Sequence, residues 1–332
     1  MSSTFPRILL TGGAGFIGSH AAEALLRRKA QLTLVDNLDD FYPPERKKNN
    51  LAEIRRAGDY EFWNLDICEI DRLRRVMEHS KPDVIIHLAA RAGVQFSLKQ
   101  PELYEQVNVA GTRNLLELAR DFKIKRFLFG SSSSVYGDKA RVPFCEDEVN
   151  LRPISPYAVT KLSGETLCRT YASVHRLSIV VLRFFSVYGP RQRPDLAIHK
   201  FTALLEAGRP LPIFGDGTAG RDYTYVDDIV SGILAALDCK LQADQQGGAY
   251  EVFNLGRSRP VKVVELVKML ERVTGRKAIV ERRDAQAGDL ALTWADLAKS
   301  NRFLAYAPGI QLEEGLGRFY TWYRRNATRI EP

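Results

Sequence analysis

Cysteine is scarce in this chain. Its four residues, Cys68, Cys145, Cys168 and Cys239, form no C-x-x-C pair, and no histidine cluster accompanies them. A disulfide framework is therefore not expected, nor is a metal site. The four read as reduced thiols, most of them packed in the interior. Long apolar runs are missing too: no window reaches the length of a membrane span, so no membrane is expected as a partner. The N-terminal Met-Ser-Ser-Thr-Phe-Pro-Arg runs into a strand without an apolar stretch of signal-peptide length, and the cytoplasm is the expected compartment. Internal repeats and low-complexity segments are also lacking.

What remains is the composition of a globular protein, 332 residues with 45% hydrophobic and 27% charged side chains. That length accommodates one large α/β domain with a smaller one appended, and it buries enough apolar surface to need no crosslink or metal. The net charge of +8 has two readings, a solvated surface rich in lysine and arginine or a positive field that attracts an anionic substrate. Nucleic acid is not expected as a partner, because basic residues are scattered and acidic ones interleave with them.

Short β-branched runs at Arg7–Thr11, Leu32–Val35, Tyr60–Asn64, Val84–His87, Arg126–Gly130 and Ser178–Arg183 alternate with helical periods. The helices are expected near Phe16–Arg28, Pro44–Ala57, Glu69–Glu78, Pro101–Phe122 and Pro156–His175. Such alternation predicts an α/β fold with a doubly wound parallel sheet of Rossmann type. After Arg183, glycine and proline become frequent, as in a smaller, loop-rich α/β unit. A helix near Val226–Leu237 and a buried strand at Glu251–Leu255 return to the sheet, and Leu241–Gly248 reads as an exposed loop. The domains are thus expected to interleave, residues 1–183 with 224–258 forming one and residues 184–223 with 259–332 the other.

The first strand is followed by Gly12-Gly13-Ala14-Gly15-Phe16-Ile17-Gly18. Glycines 12, 15 and 18 make G-x-x-G-x-x-G between a strand and a helix, where a tight turn lets the backbone approach a pyrophosphate. Asp36 ends the second strand, where a carboxylate bonds the adenosine ribose hydroxyls and repels a 2′-phosphate, so NAD is preferred over NADP. Asp66 follows the third strand, and Leu88-Ala89-Ala90 follows the fourth, small enough to let a ligand lie across the sheet edge.

Tyr157 and Lys161 form Y-x-x-x-K at a helix start, one turn apart on the same face. An ammonium near the phenol is expected to lower its pKa toward neutrality and make Tyr157 an acid/base. The chain has 13 tyrosines, so the pair alone also fits an incidental surface contact. The run Ser131-Ser132-Ser133-Ser134-Val135-Tyr136-Gly137 directly follows the fifth strand and would meet it at the carboxyl edge of the sheet. A serine hydroxyl there can bridge a substrate oxygen and the tyrosine, although a serine run also reads as a turn.

Together with Asn108-Val109-Ala110-Gly111-Thr112 and Arg221-Asp222-Tyr223-Thr224-Tyr225-Val226-Asp227-Asp228, these motifs resemble the extended short-chain dehydrogenase/reductase family of sugar-nucleotide epimerases and dehydratases over nearly the whole chain. The resemblance implies a catalytic triad of Ser132, Tyr157 and Lys161. It implies further NAD contacts from Phe16, Ile17, Asn37, Ile67, Asn108 and Phe184. Arg221 would hold the substrate diphosphate, Asp289 the uridine ribose, and Pro212, Ile213 and Phe214 the uracil. A homodimer packed through helices corresponding to Pro101–Phe122 and Pro156–His175 is implied as well. The first domain would then bind NAD, and the second would bind a UDP-sugar.

Within the family, dehydratases carry Asp-Glu where this chain has Ser133-Ser134, and UDP-glucuronate decarboxylases carry Glu where it has Ser134. The segments from Ser186 to Ala197, from Asp36 to Pro43 and from Gln286 to Asp289 are similar to those of UDP-glucuronate 4-epimerases. In these enzymes the residues matching Ser186 and Arg193 hold the sugar carboxylate, which a guanidinium fork is suited to pair. Arg193 also fits a loop arginine bridged to Asp195 or to solvent. The resemblance therefore implies C4 epimerisation of UDP-glucuronate to UDP-galacturonate through a 4-keto sugar with tightly bound NAD. The alternatives are a UDP-glucose or UDP-N-acetylglucosamine 4-epimerase or, in another class, a non-catalytic NAD-binding or RNA-associated protein.

Overall fold

The computed structural model describes residues 6–243, 245 and 247–326. The chain runs through β1 (Arg7–Thr11), α1 (Phe16–Arg27), β2 (Gln31–Asp36), α2 (Pro44–Ala57), β3 (Glu61–Asn64), α3 (Ile70–Ser80) and β4 (Val84–His87). It continues with α4 (Val94–Lys99), α5 (Pro101–Glu105), a π-turn at Gln106–Ala110, α6 (Gly111–Asp121) and β5 (Arg126–Ser132). A short 3-10 turn at Ser133–Tyr136 precedes α7 (Pro156–His175), β6 (Ser178–Phe184), β7 (Ser186–Tyr188), α8 (Ala197–Glu206) and β8 (Leu211–Phe214). Then come β9 (Gly220–Tyr225), α9 (Val226–Asp238), β10 (Ala249–Leu255), β11 (Pro260–Lys262), α10 (Val263–Thr274), β12 (Val280–Arg283), α11 (Ala298–Leu304) and α12 (Leu312–Asn326).

Seven strands form one sheet in the order β10-β6-β5-β4-β1-β2-β3, and every pairing in it is parallel. Its inner strands β1, β4, β5 and β6 are largely apolar because both faces are covered, whereas the edge strand β3 is exposed at Glu61 and Asn64. Ile8 and Leu10 of β1 join Ala21, Leu25 and Ile233 in one core cluster, whereas Leu9 joins Val76, Leu115 and Cys168 in the other. Ile179 and Val180 of β6 divide between the same two clusters. The order reverses at β1, which pairs with β2 on one side and β4 on the other, and a crevice opens there at the carboxyl ends.

The region after β6 adds a sheet of three strands, β11-β9-β7, and a pair, β12-β8. It has no core of its own on the side facing α1 and α9. Tyr188, Phe201, Ile213, Leu266 and Phe319 belong to the same cluster as Ile8 and Leu25.

Helix starts follow local chemistry. Pro44 and Pro156 open α2 and α7, where a missing N–H costs nothing. The Ser155 hydroxyl caps α7 by accepting from the Ala158 N–H at 3.2 Å.

Two expectations need correcting. The single helix anticipated over Pro101–Phe122 is α5 and α6 joined by the π-turn. Asn108 sits in that turn with its side chain bonded on both sides, and the extra residue per turn is what local periodicity does not reveal. Most cysteines were expected inside, but only Cys168 is fully buried. Cys68 and Cys239 are half-buried and Cys145 is exposed. Among the described residues no helix is long and apolar enough to cross a membrane, and no group of side chains could hold a metal ion.

Candidate active site

The carboxyl ends of β1, β4, β5 and β6 and the loops of the later region enclose a cleft of about 1110 Å³. At one end is the glycine turn. Gly12 has φ +72, and a Cβ there would lie 2.6 Å from the Ala89 nitrogen. At Gly18 a Cβ would lie 2.0 Å from the Gly12 carbonyl oxygen. Side chains are therefore barred from positions 12 and 18, and the tight turn before the first backbone N–H groups of α1 fits the pyrophosphate of a dinucleotide.

Asp36 is almost wholly buried, 7% exposed, and accepts from Ala14 N at 3.1 Å and Leu38 N at 2.9 Å. Lys47, carried in from α2, lies 3.8 Å away. Burial pushes the Asp36 carboxyl up, and the Lys47 ammonium pulls it back down. Asn37 donates to Asp66 at 2.8 Å, which joins the loops after β2 and β3.

Beneath the turn, His87 crosslinks the switch point. The Thr112 hydroxyl donates to the Asn108 carbonyl at 2.6 Å, so it accepts from His87 Nε2 at 2.9 Å. Nδ1 then accepts from the Thr11 hydroxyl at 2.7 Å. Burial, with Lys161 adding to it, lowers the His87 pKa to about 3, and the ring stays a neutral brace between β1, β4 and α6.

In the middle of the cleft are Ser132, Tyr157 and Lys161. Ser132 ends β5, accepts from Ser134 N at 3.2 Å and donates to the Ser134 hydroxyl at 3.0 Å. Lys161 is buried, and its Nζ donates to the Gly130 carbonyl at 2.7 Å. Burial brings its pKa down to about 8, against the pull of Glu165 one turn on. Glu165 is itself fixed by Arg183 (Nε at 3.0 Å, Nη2 at 2.8 Å) and by the Ser131 hydroxyl at 2.5 Å. The expectation that the lysine would carry the phenol toward neutrality is not met in this state. Burial holds the Tyr157 pKa above its usual value, and the groups pulling it down are the Ser132 hydroxyl and the Arg193 guanidinium.

On the loop after β7, Arg193 donates through Nε and Nη2 to the two carboxylate oxygens of Asp195 at 2.9 and 2.7 Å. Its guanidinium carbon is 5.2 Å from the centre of the Phe41 ring. Arg221 donates to Asp289 at 2.6 Å and to its neighbour's carbonyl, Gly220, at 2.8 Å. Arg91 pairs with Asp39 at 2.6 Å.

Nearly every residue anticipated from sequence lines this one cleft. Around the glycine turn and the ends of the strands these are Gly12, Gly15, Phe16, Ile17, Gly18, Asp36, Asn37, Asp66, Ile67, Leu88, Ala89, Ala90 and Phe184. Further along are Ser133, Ser134, Ser186, Arg193, Pro212, Phe214, Arg221 and Asp289. Asn108 and Ile213 are not on its wall. Ile213 is buried in the core, and the Asn108 amide is committed to Arg91 and Thr160, which braces α7 behind Lys161. Sequence reading missed Lys47 and Arg91, since only the packing of α2 and of the loop after β4 brings them to the cleft.

Residues 8–256 match the family model described as the NAD dependent epimerase/dehydratase family. A UDP-glucuronate 4-epimerase of Thermodesulfobacterium geofontis (strain OPF15) is 40% identical over 97% of this chain and 98% of its own length. The crystal structure of UDP-glucuronic acid 4-epimerase from Bacillus cereus, in complex with UDP-glucuronic acid and NAD, superposes with a TM-score of 0.89 at 38% identity, covering 96% of this chain and 99% of that one. A UDP-glucose 4-epimerase from Thermotoga maritima with UDP-glucose has a TM-score of 0.87 at 34% identity, with the same coverage.

Proposed function

The chain belongs to the NAD dependent epimerase/dehydratase family, and from that premise we propose that it interconverts UDP-glucuronate and UDP-galacturonate by epimerisation at C4. The observation that carries this reading is the guanidinium of Arg193 in the same cleft as Tyr157, close enough to act on its pKa. A uronate brings an anion that a neutral sugar lacks, and a fork of N–H donors is suited to it.

Tyr157 is the acid/base: in the ionised form, which burial disfavours in the ligand-free cleft and which a bound cationic cofactor ring would favour, it accepts the proton of the C4 hydroxyl and later returns it. Bound NAD supplies the reversible two-electron oxidation of C4. Ser132 hydrogen-bonds the same oxygen and holds it against the phenol. Lys161, charged below about pH 8, places a cation behind the pair. The 4-keto sugar turns in the cleft and is reduced from the opposite face. Ser133 and Ser134 offer no carboxylic acid to expel a hydroxyl, so the sequence stops at epimerisation. Ser186 helps Arg193 hold the sugar carboxylate, and Arg221 holds the diphosphate. Pro212 and Phe214 lie along the uracil, and Asp289 takes the ribose. The glycine turn, Asp36 and Asn37 hold NAD.

Incubation with UDP-glucuronate, resolved by proton NMR, tests the reading. UDP-galacturonate should accumulate to an equilibrium mixture. No conversion, with UDP-glucose turned over instead, transfers the assignment to a neutral-sugar epimerase; RNA retained on the protein with no sugar-nucleotide turnover transfers it to the non-catalytic class.

The same reading includes a cytoplasmic enzyme that uses neither nucleic acid nor membrane, and the interleaved division at residues 183, 223 and 258. It also includes a homodimer through the Pro101–Phe122 segment, which comprises α5 and α6, and through α7. Val159 and Val174 of α7 are exposed, at 48% and 65%, which favours a covered helix face. Sedimentation equilibrium should return twice the chain mass.

A further inference from the structure

Arg193 is already engaged along one edge of its guanidinium. Nε and Nη2 form a two-point fork with Asp195, and Nη2 also reaches the Ala92 carbonyl at 3.4 Å. Nη1 donates to no described residue and is not among the buried polar atoms left without one. Arg193 and Asp195 are two residues apart, both line the cleft, and their side chains are 16% and 22% exposed. A guanidinium can bind carboxylates two-point along its side edge or its end edge. Here an internal carboxylate holds the side edge and fixes the plane, while the Phe41 ring covers a face. An arginine on a loop would otherwise retain much of its rotamer freedom.

We propose that Asp195 is a positioning residue that locks the Arg193 fork, so that its unengaged Nη1 holds the substrate's C6 carboxylate out of line with the C4 carbonyl. The inference rests on the uronate reading above. Oxidation at C4 makes the sugar a β-keto acid. If the C5–C6 bond aligns with the carbonyl π system, its electron pair moves into the carbonyl as an enolate. Carbon dioxide then leaves, C5 takes a proton, and a five-carbon sugar results. A mobile guanidinium permits that alignment. The Asp195 charge has a second effect: it offsets the arginine, so the uronate is oriented more than it is attracted.

The test compares wild type with Asp195→Asn and Asp195→Glu on UDP-glucuronate. It reads the Michaelis constant and the fraction of turnovers ending in five-carbon products, with retained NAD and melting temperature as controls of folding. Asp195→Asn should raise the five-carbon fraction about tenfold, which corresponds to about 1.4 kcal/mol of lost restraint. Its Michaelis constant should fall, because Arg193 is left with an unopposed charge. Asp195→Glu keeps the charge but displaces the fork, and should be intermediate in product ratio. A five-carbon fraction equal to wild type overturns the proposal, as does a Michaelis constant that rises with no change in product ratio, the mark of a merely structural loop residue. If Asp195→Asn fails to retain NAD, Asp195→Glu carries the test, and a wild-type ratio there overturns the role. A wild type that forms no UDP-galacturonate brings down the uronate reading itself. One that does, with unchanged variants, brings down only the role of Asp195.

Discussion

Beside the glycine turn Asp36 bonds to backbone groups, and behind the wall of the cleft Asn108 and His87 bond to backbone and buried neighbours. At the sugar end, Arg193 and Arg221 are each held by a single carboxylate, Asp195 and Asp289, with part of the arginine's donor capacity left over. The first end is preformed, with hydrogen bonds among buried groups on both faces of the sheet. The second rests on ion pairs whose strength depends on what else enters the cleft. A ligand common to a whole family is served by the first design. Discrimination among sugars is served by the second, where a charge on the substrate alters an existing balance.

Tyr157 lies where the two ends meet, and removing its oxygen should break function without breaking either end. Tyr157→Phe should lower kcat by about 10²–10⁴-fold, the usual contribution of a general acid/base, with NAD content and melting temperature unchanged. Near-normal turnover would remove Tyr157 from the mechanism.

The preformed end is broken by a single carbon. Gly18→Ala places a Cβ against the Gly12 carbonyl, and the backbone must shift to admit it. A loss of about 3 kcal/mol in denaturant unfolding is expected, together with loss of retained NAD. Full NAD occupancy in this variant would show that the turn is more pliant than its contacts imply.

Arg193→Ala probes the other end. Binding of UDP-glucuronate should weaken by about 1.5–3 kcal/mol for the loss of a charged hydrogen-bonding contact. The upper part of that range is expected, because Asp195 is left facing the substrate's own carboxylate. The five-carbon fraction should rise, while handling of UDP-glucose, if any, should change far less. Calorimetry and product ratios with both substrates decide it, and equal losses on both would reduce Arg193 to a loop residue.

At neutral pH the least visible effect, because it emerges only on acidification, concerns the protonation of buried histidines. His87 and His199 are buried and neutral, with pKa values lowered from 6.5 to about 3 and about 4. The unfolded chain takes up their protons first. Their contribution is therefore complete above pH 6.5 and is lost as pH falls toward the folded values, by up to about 1.4 kcal/mol per pH unit for each ring. Unfolding followed between pH 7 and pH 4.5 should show this slope, and His199→Gln should lower it by one ring's share, leaving those of His87 and of His20, whose pKa is also lowered to about 4.

Much of the preformed end was legible in the sequence. Gly15 and Gly18 face the Gly12 carbonyl a few residues away, Gly12 is marked by its turn although the backbone it packs on is that of Ala89, and Asp36 ends a strand whose apolar run marks it. Tyr157 and Lys161 are one helical turn apart, so their common face follows from helix geometry alone. Arg193 was legible as a residue, but its bond to Asp195 was only one of the readings open to it. Lys47 and Arg91 carried no local signal. The Tyr157 pKa ran opposite to expectation because burial, not the neighbouring lysine, dominates it.

By itself the sequence determined the parallel sheet, the order of its elements and the types of group at the cleft, since these follow from periodicity, turn chemistry and spacing over a few residues. Only the tertiary structure decided which carboxylate meets which arginine, that His87 is a neutral brace, and that Asn108 stands behind the wall of the cleft. Such outcomes depend on desolvation and on distances between segments far apart in the chain, and neither quantity exists until the chain has folded.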